Sequence, residues 1–287
     1  MNKFAVIDIG SNSVRLMTVA DGKVLYKRVN TTRLGEGIAN TPLLKADAIE
    51  RSVVAVEAFF LQAKTEGAES VFAFATAAVR TAENGLSFVD AVKSRCGLDV
   101  EVVSGETEAE LGITGALGTR DGGVIDVGGA STEIVLAKGG KIVYKKSLPI
   151  GVVRLKDGCG RDMDKLVPTT KEYATLFDVD LPKKIYAIGG TATTLMAVAL
   201  GLQEYDSKKV TGSEISYSDI CGMVEKFQKM TVEEIAKLPC MPKGRADVIL
   251  GGAVLLRSVM EEKNLESLIV SDRDNLEGYA IQKGLLK

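Results

Sequence analysis

The strongest constraint on the fold is an internal repeat that aligns without a gap at an offset of 118 residues. Residues 5–28 read AVIDIGSNSVRLMTVADGKVLYKR, and residues 123–146 read GVIDVGGASTEIVLAKGGKIVYKK. The shared positions include an acid, Asp8 in one copy and Asp126 in the other, followed two residues later by glycine. Solenoid repeats have periods of roughly 20–50 residues, so this period is too long for one. The repeat predicts two related domains that open with the same unit.

Each copy of this unit predicts an antiparallel hairpin. Residues 4–9 are a predicted apolar strand, and residues 14–20, the DG turn at 21–22 and KVLYKRV (23–29) continue as a hairpin. The second copy has GG at 139–140 in the same place. A Rossmann unit would continue with a helix directly after its glycine turn, so the hairpin argues against that fold.

The remainder of each half alternates between predicted strands and helices, which favours sheets with parallel crossovers. The predicted helices cover about 45–66, 86–97, a segment ending near 117, 152–180, 191–201, 216–229, 231–237, 244–264 and a short terminal segment. The further predicted strands are 71–76, 99–105, 183–190 and 268–271. The turn-rich TRDGG at 119–123 suggests a boundary. We therefore predict an α/β protein with domains 1–119 and 120–287, whose terminal helix can pack back on the first domain.

Composition and charge exclude several classes of protein. The chain has 287 residues, 46% of them hydrophobic and 26% charged, which fits a globular protein with a large core. The net charge of −2 and the lack of a basic tract argue against a nucleic-acid partner. The acid at position 8 precedes any signal-peptide core, and the most apolar stretch, 188–202, is too short to span a membrane. We expect a cytoplasmic protein without a membrane partner, and a homodimer is a reasonable expectation.

The side chains available for chemistry are limited because the chain contains no histidine. This excludes Ser-His-Asp triads, Cys-His pairs and imidazole bases. The four cysteines are scattered and form no CxxC pair, so we expect reduced thiols. Acid–base chemistry near neutral pH therefore falls to carboxylates, lysine, tyrosine or cysteine.

Three predicted strands end in glycine-rich turns: DIGSNS (8–13), DVGGAST (126–132) and AIGGTATT (187–194). Small residues let the backbone approach a ligand closely, and successive N–H groups with Ser, Thr and Asn side chains can cradle phosphate oxygens. An acid at the strand end lies where a phosphate-bound Mg²⁺ needs a carboxylate. The alternative is that both acids bond turn amides in tight hairpins. Two matched copies and a third glycine turn favour phosphate binding.

These turns resemble the phosphate-1, phosphate-2 and adenosine motifs of the actin/Hsp70/sugar-kinase superfamily. Nine motifs along nearly the whole chain resemble, in order, the exopolyphosphatase/guanosine pentaphosphate phosphatase (Ppx/GppA) family. They are DIGSNSVRL (8–16), RLGEG (33–37), FATAAVRTAENG (74–85), VVSGETEAEL (102–111), VIDVGGASTE (124–133), LPIGVVRL (148–155), AIGGTATTL (187–195), RADVILGGAVLL (245–256) and VSDRDNLEG (270–278).

The resemblance implies two actin-like (ribonuclease H-like) domains with a ligand cleft between them. The resemblance is to the short, two-domain form of the family. Longer members carry an HD-type domain that needs histidine ligands, and this sequence contains no histidine. The sequence departs from the usual family pattern in two places. Ala130 takes the third glycine position of GGGSTE, and SDRDNLEG at 271–278 replaces SDRGLREG.

The resemblance also implies roles for individual residues. Glu108 matches the glutamate that orients or deprotonates the attacking water, and Glu133 matches an acid that assists this water or binds the metal. Acids at the first helical turn are also favoured by the helix dipole alone, and the neighbouring Glu106 or Glu110 could share the role of Glu108. The expected metal ligands are Asp8, Asp126 and Glu133. The expected phosphate-binding residues are Ser11, Asn12, Ser13, Arg80, Gly128, Gly129, Ala130, Ser131, Thr132, Gly190 and Thr191.

The expected reaction is hydrolysis of a terminal phosphoanhydride with Mg²⁺ or another divalent cation. The substrate would be inorganic polyphosphate or guanosine pentaphosphate (pppGpp). Such a reaction needs neutralisation of the phosphoryl oxygens, here by Mg²⁺ and Arg80, and an aligned water, here activated by Glu108. Other cations that could contact a polyanion are Arg15, Arg33 and Arg154.

Two alternatives remain open from the sequence. One is a sensor that binds polyphosphate or pppGpp without turnover. The other is a kinase of the actin-like superfamily, with an adenosine pocket around 189–194.

Overall fold

The computed structural model describes residues 2–286 and contains two mixed β-sheets surrounded by helices. The strands are β1 (Lys3–Ile9), β2 (Val14–Ala20), β3 (Lys23–Asn30), β4 (Ser70–Ala75), β5 (Val100–Val102), β6 (Gly122–Val127), β7 (Thr132–Lys138), β8 (Lys141–Leu148), β9 (Ile185–Ile188), β10 (Glu214–Ser216) and β11 (Ser267–Val270). The first sheet has the order β3-β2-β1-β4-β5, and the second has the order β10-β11-β9-β6-β7-β8.

Twelve helices connect and cover these strands within the described residues. They are α1 (Ala46–Thr65), α2 (Ala77–Thr81), α3 (Gly85–Cys96), α4 (Gly105–Leu117), α5 (Val152–Cys159), α6 (Met163–Thr175), α7 (Gly189–Ala199), α8 (Ser207–Val210), α9 (Tyr217–Lys229), α10 (Val232–Ala236), α11 (Ile249–Glu262) and α12 (Asn275–Gln282). The predicted α/β class and both opening hairpins are confirmed.

The structure differs from the predicted elements in detail. The helical region predicted over 152–180 is two helices, because α5 ends at Gly160 with φ of 61° and Asp162 then caps α6. The strand predicted over 99–105 is shorter, because Ser104 already serves as the N-cap of α4. The short elements α2, α8 and β10 were not predicted, since segments of three to five residues show no clear periodicity.

The sequence repeat is also a repeat in backbone geometry. β1 pairs with β2 and β6 pairs with β7, both antiparallel. The register between β2 and β3 shifts between Thr18 and Val19, and that between β7 and β8 shifts between Leu136 and Ala137. These bulges lie at equivalent positions of the two copies. The two copies therefore share this local irregularity of the backbone as well as their sequence pattern.

The helices that cover the sheets are exchanged between the two halves of the chain. α4 packs on the second sheet, where Ala109 and Ile113 share a buried cluster with strand residues of β6, β7 and β9. α12 packs on the first sheet, where Tyr279 stacks on Phe74 with 4.6 Å between ring centroids. One face of the first sheet is therefore covered by α12, which lies near the far end of the described chain.

α4 and α12 approach each other most closely at two glycines, Gly115 of α4 and Gly278 of α12. A Cβ atom on Gly115 would lie 1.9 Å from the carbonyl oxygen of Asp274, and one on Gly278 would lie 1.9 Å from that of Leu111. No side chain fits at either position without moving a backbone, so these glycines fix the distance between the two helices.

Two further expectations concern the chain as a whole. The four cysteines form no disulfide, as expected for thiols. Between residues 2 and 286, no helix combines the length and the apolar character needed to cross a bilayer.

Candidate active site

A cavity lies between the two sheets, where the glycine turns that follow β1, β6 and β9 converge. The expected site residues that line it are Asp8, Ser11, Asn12, Ser13, Glu108, Asp126, Gly128, Gly129, Ala130, Ser131, Gly190 and Thr191. Its volume of about 100 Å³ is enough to admit a phosphoryl group.

The first two turns have the same internal geometry. The N–H of Gly10 donates to the carbonyl of Ser13, and the N–H of Gly128 donates to that of Ser131, both at 3.0 Å. The turns face each other closely, because a Cβ on Gly129 would lie 2.8 Å from the Cβ of Ser11. The two halves of the repeat therefore form opposite walls of one cavity.

These turns present unused hydrogen-bond donors. Within residues 2–286, the backbone N–H groups of Ser11, Asn12, Gly129 and Ala130 donate to no protein acceptor. Ala130 does not have a positive φ, so the departure from the family's third glycine is accommodated without strain. The arrangement leaves amide donors available to an anion.

Three of the expected acids lie in or beside the cavity, two of them buried and Asp126 partly exposed. Glu108 and Glu133 are 8% and 3% exposed, and Asp126 lies on the cavity wall. Burial, together with the charges of Asp274 and Glu108, raises the pKa of Asp126 from an ordinary 3.8 to about 7. Burial and the charges of Glu108 and Asp126 also raise the pKa of Glu133. Arg80 is bonded to one of these three carboxylates, so the cluster carries more negative than positive charge.

Glu108 lies on the first turn of α4 and is held by Arg80. Arg80 donates from Nη1 to the carboxylate of Glu108 and to the carbonyl of Val103, both at 2.9 Å. Burial raises the pKa of Glu108, although the charge of Arg80 opposes this. The neighbours Glu106 and Glu110 instead bond Lys145 on the outer side of the helix, so Glu108 is the one of the three that lines the cavity.

Several expected phosphate or metal ligands lie behind the cavity wall. Arg80 lines a neighbouring groove rather than the cavity. Glu133 accepts a 2.6 Å hydrogen bond from Ser147, and the hydroxyl of Thr132 donates to the carbonyl of Ile150 at 2.6 Å. Thr191 does line the cavity, but its hydroxyl donates to the carbonyl of Val127 at 2.8 Å.

The groove beside the cavity is basic. It shares Ala77, Ala130 and Ser131 with the cavity wall. Its cationic lining residues are Arg80, Lys145, Lys146 and Arg154. Lys145 is paired with acids, whereas Lys146 and Arg154 bond carbonyl or hydroxyl oxygens. The groove thus offers positive charge at one edge of the cavity.

Asp8 is engaged by an arginine on the facing strand. Arg15 lies opposite Asp8 in the β1–β2 register and donates to its Oδ2 from Nε at 3.0 Å and also from Nη2. The same guanidinium bonds Asp274, which precedes α12. The other oxygen of Asp8, Oδ1, is buried without a hydrogen-bond partner among the described residues.

Sequence analysis missed Arg245, which lines the cavity. Its guanidinium lies 2.4–2.6 Å from where a Cβ on Gly190 would be. It forms no ion pair with any carboxylate of the described chain, and burial and the charge of Arg15 lower its pKa to about 10. The motif RADVILGG (245–252), which begins with this arginine, is the signal in the sequence that could have identified it.

The aspartate of that motif, Asp247, forms ion pairs with two cations of distant segments. Its Oδ2 bonds Arg33 at 2.8 Å and Lys156 at 2.6 Å. Arg33 belongs to the loop after β3, and the N–H of Gly37 in that loop donates to Asp157 of α5 at 2.8 Å. These contacts join the two halves of the chain beside the cavity.

The carboxylates of the cavity suit a divalent cation. No three His, Cys, Asp or Glu residues within 2–286 are arranged to hold a metal by themselves. Mg²⁺ is commonly held by one or two carboxylates, with water and substrate phosphate completing its shell. The partnerless Oδ1 of Asp8 and the uncompensated charge of Asp126 match that requirement.

Comparisons with known proteins identify the family of this chain. The sequence profile of the Ppx/GppA phosphatase family matches residues 16–285. Exopolyphosphatase 2 of Mycobacterium tuberculosis is 31% identical over 317 aligned positions, which cover 98% of each chain. The crystal structure of the Aquifex aeolicus Ppx/GppA family member is 32% identical with a TM-score of 0.79, covering 99% of this chain and 98% of that one. An exopolyphosphatase structure from Cytophaga hutchinsonii shares the fold, with a TM-score of 0.86 at 23% identity over 100% of this chain and 99% of that one.

Proposed function

Since this chain belongs to the Ppx/GppA phosphatase family, we propose that it hydrolyses a terminal phosphoanhydride bond with the help of a divalent cation. The substrate is inorganic polyphosphate or pppGpp. One observation carries the proposal: a single small cavity combines unused amide donors, an arginine without a carboxylate partner and a buried glutamate. The first two bind a phosphoryl group, and the third activates water.

The substrate's terminal phosphate is bound by the two glycine turns and Arg245. Amide N–H groups of both turns donate to its oxygens, and the guanidinium supplies positive charge. Arg80 does not contact the terminal phosphate. It donates a hydrogen bond to Glu108 and so holds that carboxylate in place. The relative Exopolyphosphatase 2 supports the choice of a polyphosphate substrate.

Glu108 removes the proton from the attacking water. Its raised pKa makes it a stronger base than an ordinary carboxylate, and it lies in the cavity beside the phosphate-binding turns. Glu133 stands behind it and adds negative charge that favours proton uptake by the cluster. Asp8 and Asp126 line the cavity and are the residues that would hold the cation, whereas Glu133 lies behind the wall and bonds Ser147. A bound divalent cation neutralises charge on the phosphoryl oxygens.

Inorganic polyphosphate is the first substrate to test. The described residues that line the cavity include no aromatic side chain to stack on a purine base. The basic groove next to the cavity offers a path for the rest of a polyanion chain.

The test is phosphate release from long-chain polyphosphate and from pppGpp, with Mg²⁺ or with EDTA. We expect release to require the cation and to fall about 10²–10⁴-fold in Glu108→Gln. Glu106→Gln is the matched control, because its side chain is 71% exposed on the same helix turn. The ratio of the two wild-type rates identifies the preferred substrate.

Other results point to the alternatives. Release that survives Glu108→Gln removes the catalytic role of that residue. Binding of both substrates without release favours the sensor, and protection by ATP against thermal unfolding favours the kinase.

A further inference from the structure

Two arginines lie at the cavity, and they have different partners. Arg245 has no carboxylate partner in the described chain, whereas Arg15 is bonded to Asp8 on one side and to Asp274 on the other. Asp8 and Asp274 are 2% and 4% exposed, so both bonds lie away from water. Two carboxylates therefore compensate the charge of Arg15, although it lines the cavity.

The bonds of Arg15 select between the two oxygens of Asp8. Both Nε and Nη2 donate to Oδ2, and Oδ1 is left buried without a partner. A carboxylate that could rotate freely would exchange these oxygens. The guanidinium thus holds the carboxylate of Asp8 in one orientation, with Oδ1 free of protein hydrogen bonds.

Asp274 is itself fixed at both of its oxygens. Its Oδ1 accepts the N–H of Leu276 at 3.1 Å as the N-cap of α12, and its Oδ2 accepts from Arg15. Its backbone N–H donates to Glu277 at 3.1 Å, and Glu277 in turn bonds Lys27 at 2.8 Å. The carboxylate that holds Arg15 therefore has almost no freedom of its own.

We propose that Asp274 is a positioning residue for hydrolysis: it acts through Arg15 to keep Asp8 oriented and to keep Arg15 away from the substrate. This rests on the proposed function, in which Asp8 holds the cation. Asp274 lies in the segment where the chain departs from the family's usual SDRGLREG.

The variant that separates positioning from folding is Asp274→Asn. Asparagine caps helices as well as aspartate does, so its oxygen can still accept the N–H of Leu276. Its amide group would then face the guanidinium of Arg15 and break that bond. We expect kcat to fall about 10- to 100-fold, as for other residues that orient a ligand of a metal. KM should change by less than about 3-fold, because the glycine turns and Arg245 are untouched.

The matched control is Asp272→Asn. Asp272 bonds Lys27 at 3.1 Å in the same loop but does not contact Arg15. This variant should keep the kcat and KM of the wild type. A second readout needs no turnover: Mg²⁺ should raise the unfolding temperature of the wild type and of Asp272→Asn more than that of Asp274→Asn.

Each outcome decides the proposal. An unchanged kcat in Asp274→Asn overturns it, and so does a raised KM at constant kcat, which would mean that Arg15 binds substrate directly. Should Asp274→Asn fail to fold, Arg15→Lys tests the same bridge, because one ammonium cannot reproduce the fork between two carboxylates. If the wild type releases no phosphate, the proposed function fails, and the Mg²⁺-induced shift still tests the role of Asp274.

Discussion

The two opening hairpins have the same turns, pairing and bulge, yet they carry opposite charges at one equivalent position. In the first hairpin Asp8 faces Arg15, and in the second Asp126 faces Glu133. The first pair is neutralised within the protein. The second places two acids together, near a third at Glu108. The same backbone unit thus carries an internal ion pair in the first copy and a cluster of neighbouring acids in the second.

This comparison predicts that the two hairpins respond to mutation in opposite directions. Removing charge from the first leaves buried acids without a counter-charge, whereas removing charge from the second relieves repulsion. The predictions that follow use this difference.

The largest expected effect is that of Arg15→Met. It leaves Asp8 and Asp274 buried without their cation, and breaking such a bridge costs about 3–5 kcal/mol. Because the Arg15 side chain is 25% exposed, we expect a loss near the lower end, about 3 kcal/mol, measured by urea unfolding. Arg28→Met on the exposed face of β3 is the control and should cost less than about 1 kcal/mol. Equal stability of Arg15→Met and wild type would mean that the bridge contributes nothing.

The second hairpin should make the metal-free protein sensitive to pH. The folded pKa of Asp126 is about 7 against an ordinary 3.8, so the folded state binds the proton more tightly than the unfolded state. The resulting stability is fully present below about pH 4 and is lost as pH rises through about 7. We expect a decrease on the order of 2 kcal/mol, since partial exposure of Asp126 screens part of the effect.

The measurement is thermal unfolding in EDTA across this pH range, with Asp126→Asn for comparison. The difference between the two proteins should shrink as pH falls. A wild type that gains stability relative to Asp126→Asn as pH rises would contradict the charge cluster.

Glu133→Gln should stabilise the metal-free protein at pH 8 by about 1 kcal/mol, because it removes one of three neighbouring acids while its partner Ser147 can still donate a hydrogen bond. The same variant should release phosphate more slowly. A variant that is both more stable and less active would show that Glu133 contributes to activity at a cost in stability. A less stable variant would indicate that Glu133 is needed for packing.

The smallest expected effect is that of Lys145→Met on the outer strand of the second hairpin. Lys145 bonds Glu106 and Glu110, whose side chains are 71% and 43% exposed. Exposed ion pairs contribute about 0–1 kcal/mol. The loss of unfolding free energy in Lys145→Met should stay within that range. A larger loss would show that charges on the exposed side of the second hairpin also affect stability.

Sequence patterns predicted the local parts of this site well. Asp8, Asp126 and the glycine turns follow strands whose apolar runs and turn residues are read directly from the chain. The repeat also indicated that the two turns are equivalent, and the structure places them face to face.

The parts that sequence missed depend on contacts between distant segments. Arg245 reaches the cavity from the loop before α11, and Asp274 reaches Arg15 from the loop before α12. Neither position has a local pattern that fixes its neighbours, because the crossing of α4 and α12 sets where Asp274 lies. Arg15 was expected among the cations that could contact a polyanion, yet the structure shows it bonded to two internal acids.

The exchange of covering helices has a consequence for the order of events during synthesis. Residues of β1, β2 and β4 are covered by Leu276, Tyr279 and Ala280, which a ribosome adds long after the first sheet has been translated. At about 5–20 residues per second, the interval between residue 119 and residue 276 is roughly 8–31 s. During that time one apolar face of the first sheet lacks its cover. We expect nascent chains stopped near residue 119 to bind chaperones that recognise apolar surface and to release them once α12 has emerged.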